Sequence, residues 1–437
     1  MSRVLYRFAM VVGLLFLFGM PVLSAWFISS ISLVKCRLSS PLPLATDLEA
    51  SFPREANMRQ ALQLLPTRGM ASIRRQLVQV MFLLLFFTCT FLGDEPKQGD
   101  AKKLDLGNDV ILEVVYIPSG KFMMGSTAQE KEWATGIEGG AQAGTVREQY
   151  EGAPRSMKVS KGFWMGRTEV TMGQFRRFVE ATGYVTDAEK PLGWTQCFNQ
   201  KWDRYYYDSR IENPWERRKD KSWRDPGFGI PMKENYPVVC VSYQDMKSFC
   251  RWLTASRRKA GLLEEGLEFR LPTEAEWAYA CRGGSQESHY FWWGNDLLKG
   301  KGRLNISSVD FLPGRDTIWP LANVPWSDGF AFLSPVDYYG DKGRNGFGLA
   351  DMCGGVWEFV LDQFDPTGGH EEIYYEDRRQ FSVSSPVCRG GNYFDVPGNA
   401  RCAVRLGIAS VSYSDSRDGF RICLGVTKKT VPVPRTK

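Results

Sequence analysis

The stretch Arg270-Leu-Pro-Thr-Glu-Ala-Glu-Trp-Ala-Tyr-Ala-Cys-Arg-Gly-Gly284 is the most informative segment of this 437-residue chain. Thr273 is followed three residues later by Glu276, which is the capping-box pattern that satisfies free backbone N–H groups at a helix start. The segment therefore predicts a short helix that begins after Thr273. After Gly283 the chain becomes rich in turns and short strands, so long regular elements are not expected there.

The segments before this stretch predict further short elements. Residues 110–126 are mostly apolar on both sides of a Pro-Ser-Gly turn and predict two strands. Thr171 as a helix cap and Gly183 as a stop predict a helix between them. Ser242 predicts the start of another helix. The Gly- and Glu-rich residues from Thr127 to Arg155 predict an exposed loop.

Composition excludes several classes of protein. The chain is 43% hydrophobic and 24% charged, which is too apolar for a disordered protein. The net charge of +6 is spread along the chain and gives no indication of nucleic-acid binding. There are only two histidines, His289 and His370, which argues against multi-histidine metal sites and against Ser/His/Asp or Cys/His hydrolases.

Two apolar segments near the start each resemble a signal peptide, with arginines ahead of an apolar run. We interpret 1–69 as an upstream extension or apolar leader, 70–93 as the signal peptide, 94–109 as a linker, 110–427 as the main domain and 428–437 as a basic tail. Two membrane-spanning helices, or a lipid anchor at Cys89, are the alternative interpretations. All of them predict an exported body that is periplasmic, secreted or held at the cell surface, and bound to the membrane only if an apolar segment is retained.

Cysteine content agrees with export, since eight of the ten cysteines fall in the body of the chain and an even number suggests disulfides. Buried free thiols remain the alternative. Between Trp194 and Pro231 the chain is rich in aromatic and basic residues. Such a segment can bind an acidic glycan, but packing of its aromatic rings onto the domain is the favoured interpretation.

Several segments together resemble the formylglycine-generating enzyme family, also called sulfatase-modifying factors. They are Ile117-Pro-Ser-Gly-Lys-Phe-Met-Met-Gly-Ser, Glu169-Val-Thr-Met-Gly-Gln-Phe, the stretch 270–284, Asn345-Gly-Phe-Gly-Leu-Ala-Asp-Met-Cys-Gly-Gly-Val-Trp-Glu, Arg389-Gly-Gly-Asn-Tyr and Gly419-Phe-Arg. The resemblance runs from about residue 110 to 427. It implies an α+β domain with an irregular C-type-lectin-like fold and little regular secondary structure.

The resemblance also implies an oxidase that uses Cu(I) held by two thiolates. In that family the two cysteines lie four and nine residues after the second glycine of the last conserved block. Here those positions are Asp395 and Ala400, and an alignment made backward from Cys402 places Pro397 at the second position. Neither alignment supplies a thiol, and the hard oxygens of Asp395 are not Cu(I) ligands. Copper is therefore not expected as a cofactor.

Two calcium sites of the family match residues in this chain, and calcium with a structural role is the cofactor that the resemblance implies. Calcium takes side-chain and carbonyl oxygens as ligands. The first site would use Asn305, Ile306, Asp328 and Phe330. The second would use Asp351, Gly354, Val356 and Glu358. The alternative is that Asp328 and Glu358 only cap turns.

The two disulfides of the family match Cys250–Cys423 and Cys281–Cys402, with Cys423 displaced by one residue. Cys197, Cys240, Cys353 and Cys388 remain, and the sequence does not say whether they pair.

Three functions follow from these expectations. The favoured one is an exported family member without copper–thiolate oxidase activity that binds a peptide, glycan or protein in the former active-site groove. The second is an oxidase of the formylglycine-generating type that acts on sulfatase cysteines through an unrecognised metal site, so the enzymatic status stays open. The third is a partner domain at the cell surface. The expected partners are a sulfatase or other exported protein, or an acidic glycan, and Asn392, Tyr393, Asp395 and Arg405 are the candidate groove residues.

Overall fold

A computed structural model describes residues 95–141, 151–199, 215–310, 324–363, 385–408 and 410–426. All of these belong to the unit Asp94–Lys437; the preceding unit, Met1–Gly93, lies outside the described residues together with both apolar segments and Cys89. The basic tail 428–437 also lies outside them. Within the described ranges, no helix has the length and apolar character needed to cross a membrane.

Short helices and short strands make up the regular structure, as expected for an α+β fold with long connections. The helices are α1 (Ala128–Thr135), α2 (Met172–Thr182), α3 (Tyr243–Lys259), α4 (Glu274–Cys281) and α5 (Gly340–Gly343). The strands are β1 (Ala101–Asp105), β2 (Ile111–Ile117), β3 (Gly120–Met124), β4 (Arg155–Val159), β5 (Phe163–Gly166), β6 (Thr195–Phe198), β7 (Trp215–Arg218), β8 (Leu267–Arg270), β9 (Trp357–Gln363), β10 (Pro386–Arg389), β11 (Arg405–Gly407), β12 (Asp418–Gly419) and β13 (Cys423–Val426).

The predicted helix starts are confirmed at atomic detail. The side chains of Thr171, Ser242 and Thr273 each accept a hydrogen bond from the backbone N–H three residues later. In each case the side chain of that later residue accepts a hydrogen bond from the backbone N–H of the capping residue. Gly183 ends α2 in the left-handed conformation, with a φ of 66°. Local sequence therefore determines these helix ends, because the capping groups and the glycine satisfy backbone requirements by themselves.

The described residues form two larger sheets, one of five strands and one of four. The first has the order β1-β2-β5-β13-β8, and all of its pairs are antiparallel. The second has the order β11-β10-β9-β12, in which β12 runs parallel to β9. Strands β9 to β12 come from the last third of the chain, so this sheet holds the loops that the family resemblance singles out.

Apolar side chains form one large core and a second core around α4. The large core includes Phe175, Phe249 and Phe420, all fully buried. The second core includes Trp277 and the sulfur atoms of Cys281, Cys353 and Cys402. The side of α4 that carries Trp277 and Cys281 therefore faces the interior, which places the end of this helix next to the loops before β9 and β11.

Two expectations about local structure are wrong. Residues Ala101–Asp105, assigned to a linker, form the edge strand β1 and pair with β2 along its whole length. Residues after Thr127, assigned to an exposed loop, form helix α1, capped by the Thr127 hydroxyl and burying Glu130. Charged residues concealed both elements: β1 is an exposed edge strand, and α1 buries a glutamate together with only one apolar residue, Ala134.

The aromatic and basic stretch after Trp194 packs onto the domain where it is described. Trp223 is fully buried against Phe175, and Trp215 is buried against Phe198. Residues 200–214, which include the tyrosines of this stretch, lie outside the described residues. The packing interpretation is confirmed for these two tryptophans.

Candidate functional site

The loop between β10 and β11 contains the two positions where the family resemblance expects thiols. At the first, the carboxylate of Asp395 accepts hydrogen bonds from the Asn392 N–H (3.0 Å) and from the Asn399 side-chain amide (2.8 Å). At the second, Ala400 is fully buried among Leu304, Ile306 and other apolar side chains. A carboxylate that braces a turn and a buried methyl group therefore occupy these positions, and neither can bind Cu(I).

The four candidate groove residues do not share one environment. Asn392, Tyr393 and Arg405 are 2%, 1% and 4% exposed, whereas Asp395 is partly exposed. Arg405 donates to both oxygens of Glu274, at 2.7 and 3.0 Å. Of the four, Asp395 is therefore the one with a partly exposed side chain, and the role of all four as groove residues stays a prediction.

A partly exposed aromatic and basic surface lies beside Asp395. The ring of Phe394 packs edge-on against Trp215, with centroids 5.1 Å apart. The Arg417 guanidinium lies 3.9 Å from the Trp215 ring, and the exposed Arg217 lies 4.3 Å from the ring of Trp194. Arg417 is ion-paired with Asp415, whereas an exposed guanidinium over a ring, as at Arg217, can bind planar or anionic groups.

A buried carboxylate, Glu358, links three elements. It accepts two hydrogen bonds from Arg421, both 2.7 Å long, and one of 2.8 Å from the Trp277 indole. Arg421 in turn donates to the carbonyl oxygens of Gly166 and Ala350. Because the Glu358 carboxylate is engaged in this way, its predicted role as a calcium ligand has no support here.

A second buried carboxylate, Glu169, lies close by and is only 1% exposed. Among the described residues, neither of its carboxylate oxygens has a hydrogen-bond partner. Burial raises its pKa well above the ordinary value, and the nearby carboxylates of Asp351 and Glu358 raise it further. Burial also raises the pKa of Asp351 to about 6. Carboxylates gathered without enough positive charge are the environment in which a cation binds.

The first predicted calcium site is arranged differently. Asp328 accepts four hydrogen bonds, from the Asn305 amide, the Ile306 and Phe330 N–H groups and the Ser308 hydroxyl. The Asn305 side-chain oxygen accepts from the Ser334 N–H at 3.1 Å. These hydrogen bonds show that Asp328 braces the turn, and calcium at this first site stays a prediction.

All eight described cysteines are buried free thiols, so neither predicted disulfide is present as a bond. The sulfur atoms of Cys281 and Cys402 lie 3.2 Å apart, which brings the second predicted pair together. That of Cys353 lies 4.0 Å from Cys281. Cys250 and Cys423 are near enough to interact electrostatically. Both pairings stay predictions.

The sequence did not single out Glu130, Glu151, Glu169 or Arg401 as important residues. Arg401 is fully buried and pairs with Glu130 and with Glu151 (2.7 Å). Desolvation raises the pKa of Glu130 to about 7, although Arg401 opposes the shift. Only Glu169 had a sequence signal, because it lies just ahead of the capped helix α2. That pattern does not indicate that its side chain is buried.

The comparisons with known proteins agree with this fold. Residues 106–425 match the family described as the sulfatase-modifying factor enzyme 1-like domain. The formylglycine-generating enzyme of Mus musculus is 31% identical over 322 residues, covering 71% of this chain and 74% of the mouse protein. The inactive C-alpha-formylglycine-generating enzyme 2 of Bos taurus is 30% identical over 339 residues, covering 74% of this chain and 91% of the bovine protein.

A solved structure shares the fold. PvdO from Pseudomonas aeruginosa superposes with a TM-score of 0.51 at 24% sequence identity, covering 76% of this chain and 100% of that protein. At this identity the likeness concerns the fold alone. It supports the assignment of an α+β architecture of the C-type-lectin-like kind.

Proposed function

The chain belongs to the sulfatase-modifying factor family, and from that premise we propose that it is a member without copper–thiolate oxidase activity that binds a peptide, glycan or protein. The binding surface is the partly exposed region formed by Trp194, Arg217, Phe394 and Asp395. The observation that carries the proposal is the loop between β10 and β11, in which Asp395 and Ala400 replace the two sulfur ligands.

The retained scaffold supports a binding role. Related proteins include both formylglycine-generating enzymes and inactive members, so the same family fold serves chains with and without the oxidase reaction. The buried ion pairs of Arg405 with Glu274 and of Arg421 with Glu358 hold the loop and its neighbours independently of any thiol. A surface next to an intact loop can then evolve toward recognition without loss of the fold.

An activity assay tests the first half of the proposal. The purified chain is incubated with Cu(I), oxygen and a sulfatase-type cysteine peptide, with the mouse formylglycine-generating enzyme as the positive control. We expect no formylglycine in the peptide mass spectrum for this chain. Formation of formylglycine would overturn the proposal in favour of an oxidase with another metal site.

A binding assay tests the second half. Two probes are used, the same cysteine peptide and a sulfated glycan, and binding is followed by calorimetry. We expect Trp194→Ala and Arg217→Ala to weaken binding, because both side chains lie on the stacked surface. Arg251→Ala is the matched control, since it removes an exposed arginine from helix α3. Equal losses in Arg217→Ala and Arg251→Ala, with none in Trp194→Ala, would indicate nonspecific attraction to positive charge and would contradict the proposed surface.

Export is part of the same proposal. A cleaved signal peptide at 70–93 would place the mature N-terminus near Gly93 and the body outside the cytoplasm. The mass of the mature protein isolated from its native host measures this directly. A retained N-terminal segment would instead support a domain held at the cell surface.

We also propose a structural cation, calcium, between Glu169 and Asp351, at the second predicted site but with a different acidic ligand. The support is the unpartnered, buried carboxylate of Glu169 beside Asp351. Calcium should raise the unfolding temperature of the wild-type chain, and Glu169→Gln should abolish that response. Glu264→Gln, which changes an exposed glutamate, should keep it. A calcium response that survives in Glu169→Gln would exclude this site.

A further inference from the structure

Three cysteines from separate parts of the chain meet inside the second core. Cys281 ends helix α4, Cys353 lies in the loop before β9, and Cys402 lies in the loop before β11. They are 0%, 1% and 1% exposed. Their three sulfur atoms lie within 4.8 Å of one another, with separations of 3.2 Å for Cys281–Cys402 and 4.0 Å for Cys281–Cys353.

We propose that Cys281, Cys353 and Cys402 form a buried three-sulfur site for one soft cation, Cu(I). This site is separate from the loop positions of Asp395 and Ala400, and it goes beyond the proposed binding function. It is too deeply buried to accept a peptide thiol, so the cation would join α4 to the two loops and would not act on a substrate.

The spacing of the sulfur atoms fits one shared ion. With metal–sulfur bonds of about 2.3 Å, three sulfurs around one ion in a plane lie about 4 Å apart. The two observed separations, 3.2 and 4.0 Å, lie at or below that value, and all three sulfur atoms lie within 4.8 Å of one another, which is close enough for them to share one ion after small changes of side-chain rotamer. Two sulfurs alone would suit a disulfide as well, and it is the third, from Cys353, that favours a metal.

The number and type of ligands favour Cu(I) over zinc. Thiolates are soft ligands that select Cu(I), whereas structural zinc takes four ligands. Within the described part of the chain, the group contains three members and gains no histidine or carboxylate. His289, the described histidine, is partly exposed and faces Glu287 instead.

Nearby positive charge offsets the charge of the thiolates. Three thiolates and Cu(I) carry a net charge of −2. Arg282 and Arg389 are 3% and 2% exposed, and both act electrostatically on Cys402. Arg282 donates to the carbonyl oxygens of His289 and Gly125, and no ion pair is seen for it among the described residues. A buried guanidinium without a carboxylate partner stabilises an anionic metal centre next to it.

The test measures copper bound to the full chain. Protein reduced under anaerobic conditions is titrated with Cu(I) against a chromophoric Cu(I) chelator, and copper per chain is determined by mass spectrometry. We expect one tightly held copper in the wild type, and an affinity lower by at least about tenfold in Cys353→Ala. Cys388→Ala is the matched control, because it removes a fully buried thiol outside the cluster, and it should bind like the wild type.

A second measurement does not depend on a variant folding correctly. X-ray absorption of the copper-loaded wild-type chain should show three sulfur neighbours. Two sulfur neighbours, or nitrogen and oxygen neighbours, would overturn the proposal, as would unchanged copper binding in Cys353→Ala. A Cys281–Cys402 disulfide in the protein isolated from its native host would also overturn it. The peptide-oxidation assay above does not measure copper bound to these three cysteines. The proposed function and the proposed copper site can therefore be refuted independently of each other.

Discussion

Glu130 offers a sharp test of the buried charge network, through the substitution Glu130→Gln. Its side chain is fully buried at the start of helix α1 and pairs with Arg401, while one carboxylate oxygen, Oε2, has no hydrogen-bond partner in the described part of the chain. Desolvation outweighs the attraction of Arg401 and raises the Glu130 pKa from 4.5 to about 7. Glutamine keeps the shape of the side chain but cannot carry a charge at any pH.

The size of the effect follows from the pKa. Between pH 4.5 and about pH 7 the folded chain holds a proton on Glu130 that the unfolded chain has released. Stability must therefore fall as pH rises through this window and level off above it. At about 1.4 kcal/mol for each pKa unit, Glu130 lowers the free energy of unfolding by about 3 kcal/mol between the two ends. In Glu130→Gln this contribution to the decrease of the free energy of unfolding with pH is absent.

The assay is urea unfolding of the wild type, Glu130→Gln and the control Glu132→Gln, which changes an exposed glutamate of the same helix. We expect the free energy of unfolding of Glu130→Gln, relative to the wild type, to increase by about 3 kcal/mol from about pH 4 to about pH 8. The control should show no such trend. A difference that stays constant with pH, or that falls, would mean that attraction to Arg401 outweighs burial, and the reasoning would be refuted.

Three further predictions concern the same region and can be checked by urea unfolding. Arg401→Met should cost about 3–5 kcal/mol, because it leaves the two buried glutamates that face it without a cation, whereas Arg251→Met on the surface should cost little. Gly391→Ala should destabilise more than Gly183→Ala: both glycines have a positive φ, but an added Cβ at Gly391 meets a backbone oxygen at 2.7 Å and at Gly183 meets nothing. Thr273→Ala should cost about 1 kcal/mol, because helix α4 loses its capping hydroxyl.

The elements that the sequence predicted correctly are those determined by local chemistry. The capped helices α2, α3 and α4 and the successive strands β2 and β3 are indicated by their own residues and the turn between the strands. Strand β1 and helix α1 were missed because their own residues are mostly polar and their stability comes from pairing with other segments. β1 is a polar strand held by its pairing with β2, and α1 is anchored by Arg401, which lies 271 residues from Glu130 in the chain.

The family resemblance located the important loop, but it could not say how the replaced positions are accommodated. That Asp395 braces a turn and that Ala400 is buried depends on Asn399 and Leu304, whose positions only the folded chain reveals. The same limit applies to Arg405. An arginine near a predicted groove was a reasonable candidate ligand until its bonds to the buried Glu274 were known.

The loss of the two loop thiols and the presence of a third core thiol have different structural consequences. At the loop, the Asp395 carboxylate accepts two hydrogen bonds from its own turn, so a carboxylate in place of sulfur leaves the turn supported. In the core, Cys353 adds a third sulfur to a pair that one disulfide would otherwise satisfy. A single disulfide can use only two of the three sulfurs, whereas one metal ion can use all three. The state of Cys353 therefore distinguishes the two possibilities. If Cys281 and Cys402 form a disulfide, Cys353 stays a free thiol. If the three sulfurs bind a metal ion, Cys353 is one of its ligands.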